Sequence, residues 1–230
     1  MYKQFKQILT YWDRESTLVI LGDLIDRGPQ SLAVVREVMA LKQQYGDRVL
    51  YLKGNHEDLF LDFLNPADPF SKSRIYFENG GRETLRSFLS DVRVTLYPVH
   101  LNEMVKRLNE QYKDEIDFLK SGLHYKIIGD VLLTHAGFLS TERDLAASEV
   151  EDFLWIRDHY LHPNLTEYVN VFGHTPVCFI HESNDVWISP CERYIGIDGG
   201  CFFTNQLNAI VISEKGELIQ TFLVKDEIEE

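Results

Sequence analysis

The sequence predicts an α/β protein, a β-sheet with helices packed on it. Within the first 52 residues a helical pattern, a buried strand, a second helix and a second strand follow one another. This alternation is typical of α/β sheets. The second half of the chain changes to short β segments. A length of 230 residues is enough to bury the core of one sizeable domain.

The first helices and strands are indicated by the spacing of their apolar residues. Phe5, Ile8 and Leu9 fall at positions i, i+3 and i+4, which predicts an amphipathic helix at the start of the chain. Residues 18–21 form an apolar run that ends at a glycine, as a buried parallel strand does. A second helix then leads to a second strand at residues 49–52.

A broken helical pattern from Leu59 to about Leu123 predicts a helical insert or cap within a single domain that covers residues 1–230. Behind this insert the sequence has the apolar alternation and turn residues of short strands. These predicted strands lie at residues 125–128, 131–134, 169–172, 177–180, 186–188, 194–197, 207–213 and 218–224.

Composition excludes several classes of protein. The net charge of −13 repels a polyanionic backbone, so we expect no nucleic-acid partner. No apolar run is long enough to cross a bilayer and no signal peptide is visible, so we expect no membrane partner and a cytoplasmic location. The three cysteines match neither a disulfide framework nor a zinc knuckle, and composition predicts neither a monomer nor an oligomer.

Polar residues follow four of the predicted strands, at the sheet edge where α/β proteins bind ligands. The four segments read G-D-L-I-D-R-G at residues 22–28, G-N-H-E at 54–57, H-A-G at 135–137 and G-H-T at 173–175. Taken singly, such an aspartate could cap a helix, and such a histidine could be an ordinary structural residue. Their order and their shared position at strand ends favour a functional site.

Together the four motifs resemble those of the calcineurin-like metallophosphoesterases, and within them the bacterial and phage-type branch of the PPP serine/threonine protein phosphatases. The resemblance covers nearly the whole chain, with weaker support from G-I-D-G-G-C at residues 196–201 and W-I-R at 155–157. It implies a sandwich of two mixed β-sheets flanked by helices. It also implies hydrolysis of phosphomonoesters, either phosphoserine and phosphothreonine in a phosphorylated protein or a small phosphoester.

The same resemblance implies a binuclear metal centre. The expected cofactors are two divalent metal ions, Mn²⁺ first, with Fe or Zn²⁺ as other choices, because carboxylate, imidazole and amide oxygen suit these metals. Asp23 would bridge the two ions. Asn55, His135 and His174 would complete the second metal site.

Four further residues are implied to take part in catalysis. Arg27 and Arg157 would bind the non-bridging phosphate oxygens, since guanidinium groups form paired, charge-assisted hydrogen bonds to them. His56 would protonate the leaving alkoxide, and Asp26 would orient that histidine. For the other histidines we expect surface or capping roles, and for Glu57 a structural one. These histidines are His100, His124, His159, His162 and His181.

One family motif is absent. The family begins with a strand ending in D-x-H, which supplies the first metal site, whereas residues 2–12 resemble the helix that follows it. We expect a start assigned too far downstream; a deliberate fragment and a true loss are the other accounts. Activity of the chain as given is therefore open. The alternative functions are a symmetrical dinucleoside-tetraphosphate hydrolase, which shares these motifs, and an inactive phosphate- or partner-binding module.

Overall fold

A computed structural model of the protein describes residues 1–65, 69–90 and 97–226. Parts of the predicted helical insert (residues 66–68 and 91–96) and the last four residues of the predicted domain lie outside this description. The described helices are α1 (Tyr2–Ile8), α2 (Ser31–Tyr45), α3 (Asn55–Phe63), α4 (Pro69–Glu78), α5 (Gly81–Phe88), α6 (Pro98–Gln111), α7 (Lys113–Lys120), α8 (Val150–Trp155) and α9 (Cys201–Thr204). No helix in these ranges is both long and apolar enough to cross a membrane.

The strands confirm the predicted α/β class. They are β1 (Leu18–Ile20), β2 (Val49–Tyr51), β3 (Tyr125–Ile128), β4 (Val131–Thr134), β5 (Val169–Phe172), β6 (Trp187–Ile188), β7 (Tyr194–Gly196), β8 (Gln206–Ile212) and β9 (Leu218–Lys225). A mixed five-stranded sheet has the order β3-β4-β5-β7-β6. The parallel pair β1-β2 and the antiparallel hairpin β8-β9 form two further sheets among the described residues.

Strand β1 lies between two layers of apolar side chains. Leu18 packs in a cluster with Val49 of β2 and with Leu9, directly after α1, on the helical side. Val19 packs in another cluster with Leu133 of the five-stranded sheet. Because successive side chains of a strand point to opposite faces, β1 is apolar on both faces, which explains its continuous apolar sequence.

Helices α3 to α7 occupy the range between β2 and β3 and share one core. Aromatic rings dominate it, with Phe60 and Phe63 of α3 against Tyr76 of α4 at centroid separations of 5.8 and 5.2 Å. Phe60 also meets Phe88 of α5 at 5.9 Å. These contacts fix α4 and α5 against α3, whose first residues belong to the candidate site described below.

The strand predicted at residues 177–180 is wrong, because this segment forms a 3₁₀ turn at Val177–Phe179. The edge of β5 that such a strand would need is already taken, since Phe172 pairs with Gly196 of β7. Val177 is buried, and its N–H donates to the carbonyl of Asp198 at 2.8 Å. The apolar run therefore covers the strand ends without joining the sheet.

His159 corrects another expectation, because it is buried instead of lying at the surface. Its Nε2 donates to the side-chain oxygen of Asn170 at 3.0 Å, while Asn170 donates in turn to Thr134. Burial lowers the pKa of His159 to about 4, since a charged imidazole would lose its water here. A side chain at Gly137 would meet the ring at 2.4 Å, so His159 supports the loop that follows β4.

Acid should therefore destabilise the fold through His159. The pKa of His159 in the folded chain, about 4, lies below the ordinary value of 6.5. The contribution of neutral His159 to the free energy of unfolding is therefore complete above pH 6.5 and is lost as pH falls towards 4. We expect His159→Gln, which keeps a donor for Asn170 but does not titrate, to abolish this pH-dependent part of the free energy of unfolding. Between pH 7 and pH 5, urea unfolding of the parent should lose about 2 kcal/mol more than the variant. Equal losses would contradict a buried, neutral His159.

Candidate active site

Four strand ends bring four potential metal ligands together. Asp23 follows β1, Asn55 begins α3 after β2, His135 follows β4 and His174 follows β5. Nε2 of His135 lies 3.0 Å from Oδ1 of Asn55, 3.2 Å from Nδ1 of His174 and 3.5 Å from Oδ1 of Asp23. One donor atom from each of Asp23, His135 and His174 lies within 4.8 Å of the others. All four predicted metal ligands thus meet in one place.

Unusual backbone conformations bring these loops into contact. Gly22 has φ +93°, and a Cβ added to it would lie 2.5 Å from the backbone nitrogen of Gly54. Asp23 and His174, although not glycines, have φ values of 56° and 64°. Non-glycine residues with such values are uncommon and concentrate at functional sites. The loops after β1 and β2 can therefore touch only through glycine.

Glu57 joins the loops after β1 and β2. Its Oε2 accepts hydrogen bonds from the backbone N–H groups of Asp23 at 3.0 Å and Gly54 at 2.7 Å, and its Oε1 accepts one from Leu24 at 2.6 Å. The side chain is fully buried. Burial and the neighbouring carboxylate of Asp23 raise the pKa of Glu57 to about 7. Glu57 is therefore a positioning residue, in agreement with its expected structural role.

The chemistry of the four donors fits a divalent metal ion. Nδ1 of His135 donates to the carbonyl of Leu21 at 2.6 Å, so Nε2 is the ring nitrogen that faces the other three donors. Burial lowers the pKa of His174 to about 3, so the imidazole of His174 is neutral and able to bind a metal. Carboxylate, amide oxygen and two imidazoles form a set suited to Mn²⁺, Fe or Zn²⁺.

His56 and Asp26 form a buried pair beside the four donors. Nδ1 of His56 lies 2.8 Å from Oδ2 of Asp26, while Oδ1 of Asp26 accepts from Thr84 at 2.7 Å and Tyr76 at 2.9 Å. Burial opposes the charge on His56, but the carboxylates of Asp23 and Asp26 outweigh it and raise the pKa of His56. The pair is therefore suited to hold a proton on Nε2.

The helical region holds Arg27 in the site. The backbone N–H of Arg27 donates to the carbonyl of Gly80 at 3.1 Å, and a Cβ on Gly80 would lie 2.7 Å from Cγ of Arg27. The guanidinium lies 5.9 and 5.7 Å from the rings of Phe202 and Phe203. Arg157 also reaches the site, where its Nη1 donates to the carbonyl of His174 at 3.1 Å.

Several residues of the site have no role in the sequence-based prediction. Thr84 and Tyr76, which bind Asp26, come from α5 and α4, and no local pattern marks them as polar partners. Asp198 lies in a predicted motif without an assigned function. Its carboxylate accepts from the N–H of Gly200 at 2.8 Å, and burial raises its pKa. The exposed Phe202 and Phe203 follow that motif directly and could have been noticed from their position.

The sequence profile of the calcineurin-like phosphoesterase family matches residues 1–202, most of the chain. The chain belongs to the calcineurin-like phosphoesterases. Membership confirms the predicted family and identifies the protein as a metal-dependent phosphoric ester hydrolase. The convergence of Asp23, Asn55, His135 and His174 agrees with the family's use of divalent metal ions.

Relatives within this phosphoesterase family act on different substrates. The chain is 28% identical over 218 residues to the asymmetrical bis(5′-nucleosyl)-tetraphosphatase PrpE of Bacillus velezensis, covering 87% of this chain and 76% of that protein. It is 30% identical to a symmetrical bis(5′-nucleosyl)-tetraphosphatase of Buchnera aphidicola. That match covers 77% of this chain and 55% of the relative. The fold is also similar to the structure of a protein serine/threonine phosphatase from Saccharomyces cerevisiae, with a TM-score of 0.57 and 13% sequence identity. The superposition covers 100% of this chain and 77% of the yeast chain.

Replacement of Glu57 by glutamine should loosen the loops that carry Asp23 and Asn55. An amide offers one oxygen to three N–H groups and turns its own NH₂ towards at least one of them. We expect about 1–3 kcal/mol lower stability and weaker Mn²⁺ binding, measured by urea unfolding and calorimetric titration. Glu78→Gln, on the exposed face of α4, is the matched control. Unchanged Mn²⁺ affinity in a folded Glu57→Gln would refute the positioning role.

Proposed function

We propose that the chain hydrolyses phosphate esters at the meeting point of Asp23, Asn55, His135 and His174. The observation that supports this is the convergence of one carboxylate, one amide oxygen and two imidazoles beside a histidine–aspartate pair. Bound there, divalent ions would activate water and neutralise charge on the phosphate, and we propose Mn²⁺ as the metal. The cytoplasmic location stays a prediction from the sequence.

Each polar residue has a proposed task. Arg27 and Arg157 bind the non-bridging oxygens and stabilise the charge that builds on them. His56 donates its Nε2 proton to the leaving oxygen, because Nδ1 already faces Asp26. Asp26, fixed by Thr84 and Tyr76, keeps the imidazole in that orientation.

Two substrate classes are proposed. The motifs favour phosphoserine or phosphothreonine in proteins. The chain also shares its fold with the yeast serine/threonine phosphatase, which agrees with such a substrate. A dinucleoside tetraphosphate is the second candidate. Phe202 and Phe203 are 48% and 64% exposed and lie next to Arg27, so a nucleobase could stack there while the arginine holds a phosphate. The curated relatives named above are tetraphosphatases.

The acid role of His56 can be tested through the leaving group. His56→Asn should lower turnover of a phosphoserine peptide about a hundredfold or more, and should cost much less on nitrophenyl phosphate, whose leaving group needs little protonation. Both assays use Mn²⁺, and Asp23→Asn should abolish both activities. Equal losses on the two substrates would show that His56 binds or ligates instead. No turnover of either substrate by the parent chain would favour the inactive binding module.

Substrate class can be tested through the exposed aromatic pair. If a nucleobase stacks on it, Phe203→Ala should raise KM for diadenosine tetraphosphate about tenfold or more, because stacking on an aromatic side chain contributes about 1–3 kcal/mol. Turnover of nitrophenyl phosphate should not change. Phe179→Ala, at another exposed phenylalanine, is the matched control. A phosphoserine peptide as the better substrate, with no effect of Phe203→Ala on the nucleotide, would favour the protein phosphatase assignment.

A further inference from the structure

Trp155, at the end of α8, presents an exposed aromatic surface beside one of the candidate metal ligands. The residue is 38% exposed, whereas Trp12 and Trp187 are more buried. Its indole ring lies 6.1 Å from the ring of His174, with the two planes at 83°. Tryptophan is highly buried in most proteins, because exposing so large an apolar surface to water costs free energy. The tasks proposed for the polar residues of the site do not use this surface.

Two anchors hold Trp155 in place. Two residues earlier, the buried Phe153 accepts a hydrogen bond on its carbonyl from the N–H of Ala136 at 2.8 Å. Two residues later, Nη1 of Arg157 donates to the carbonyl of His174 at 3.1 Å. Ala136 and His174 belong to the loops after β4 and β5, which carry two of the candidate metal ligands. The indole is therefore an exposed surface in a fixed position, and such a surface binds a ligand at a low cost in conformational entropy.

Phe202 and Phe203 form a second aromatic surface of the site. Their ring centroids are 5.0 Å apart, and both rings lie near the guanidinium of Arg27. Among the described residues neither phenylalanine ring contacts the ring of Trp155. The site thus has two separate aromatic surfaces, one beside Arg27 and one two residues before Arg157.

This arrangement favours a ligand with an aromatic ring at each end of a phosphate chain. Arginines bind the phosphates, and stacking of a nucleobase on an aromatic side chain strengthens binding about tenfold or more. Once the first base and the phosphates are bound, the second base meets its surface at a high effective concentration. A mononucleotide has one base and a phosphoserine peptide has none, so neither can stack a base on both surfaces.

We propose that Trp155 is a second nucleobase-binding surface, so that the site binds both ends of a dinucleoside polyphosphate. One base stacks on Trp155 and the other on Phe202 and Phe203. This inference rests on the second candidate of the proposed function, the dinucleoside tetraphosphate. It makes Trp155 a residue that determines substrate specificity and takes no part in the chemistry.

Binding of two nucleotides, one with a second nucleoside and one without, tests the proposal. The probes are diadenosine tetraphosphate and adenosine 5′-tetraphosphate, both with methylene groups between the phosphorus atoms so that neither is hydrolysed. Calorimetric titration in Mn²⁺ gives the two dissociation constants. The parent chain should bind the dinucleotide about tenfold or more tightly, because only this ligand has a base for each surface. Equal dissociation constants, or no binding of either nucleotide, would overturn the proposal.

Replacement of the aromatic residues should remove this preference. Trp155→Ala and Phe203→Ala should each bind the two nucleotides almost equally, whereas Trp155→Phe, which keeps a ring, should retain part of the preference. Phe179→Ala, at an exposed phenylalanine outside both surfaces, is the matched control and should keep all of it. Circular dichroism checks folding, and Trp155→Phe and Phe203→Ala carry the test if Trp155→Ala does not fold. If Trp155 only supported the ring of His174, both nucleotides would lose affinity equally, so an unchanged preference in folded Trp155→Ala would overturn the proposal.

Tryptophan fluorescence locates the base and separates this inference from the proposed function. Adenine stacked on Trp155 should quench the emission of the parent chain, and Trp155→Phe should lose this quenching while Trp187→Phe keeps it. Binding of the dinucleotide without quenching would contradict the proposal. A parent chain that shows the preference and the quenching but hydrolyses no phosphoester would refute the proposed hydrolysis and support the role of Trp155. Hydrolysis of nitrophenyl phosphate without any preference would refute the role of Trp155 alone.

Discussion

The three hydrogen bonds to the carboxylate of Glu57 hold the geometry of the whole site. They tie the loop after β1 to the loop after β2, and each of these loops contributes one of the candidate metal ligands, Asp23 and Asn55. Asp23 adopts a left-handed backbone conformation that costs free energy in a non-glycine residue. The buried carboxylate offsets this cost by satisfying N–H groups that would otherwise be orphaned. The rest of the ligand cluster is assembled against this fixed pair of loops.

Local patterns predicted most of the helices and strands, and the residues that they marked as candidate ligands lie close together in the structure. Strand β1 and the motif at residues 22–28 could be recognised because a buried parallel strand is continuously apolar and its polar residues follow at one end. The segment at residues 177–180 has the same apolar character, yet it forms a turn because β7 already occupies the edge beside β5. Such competition between distant segments for one edge is not encoded in either segment alone.

The contacts that support the site could not be predicted from local sequence patterns. Asp26 is fixed by Tyr76 and Thr84, which are 50 and 58 residues away in the chain. His159 is likewise buried by tertiary packing, since its ring lies against Gly137 and Phe138. A histidine in a polar segment gives no sign of such burial, so the expectation of a surface role failed there.

The origin of the four candidate ligands has a consequence for the lifetime of the protein. Asp23 and Asn55 follow the strands of one sheet, and His135 and His174 follow those of another, with no hydrogen-bonded ladder between the two sheets among the described residues. An ion held by all four would cross-link the two layers. At a hundred times its dissociation constant it would stabilise the folded chain by about 2.7 kcal/mol. Metal supply in the cell would then set how often the layers separate and expose the chain to proteases.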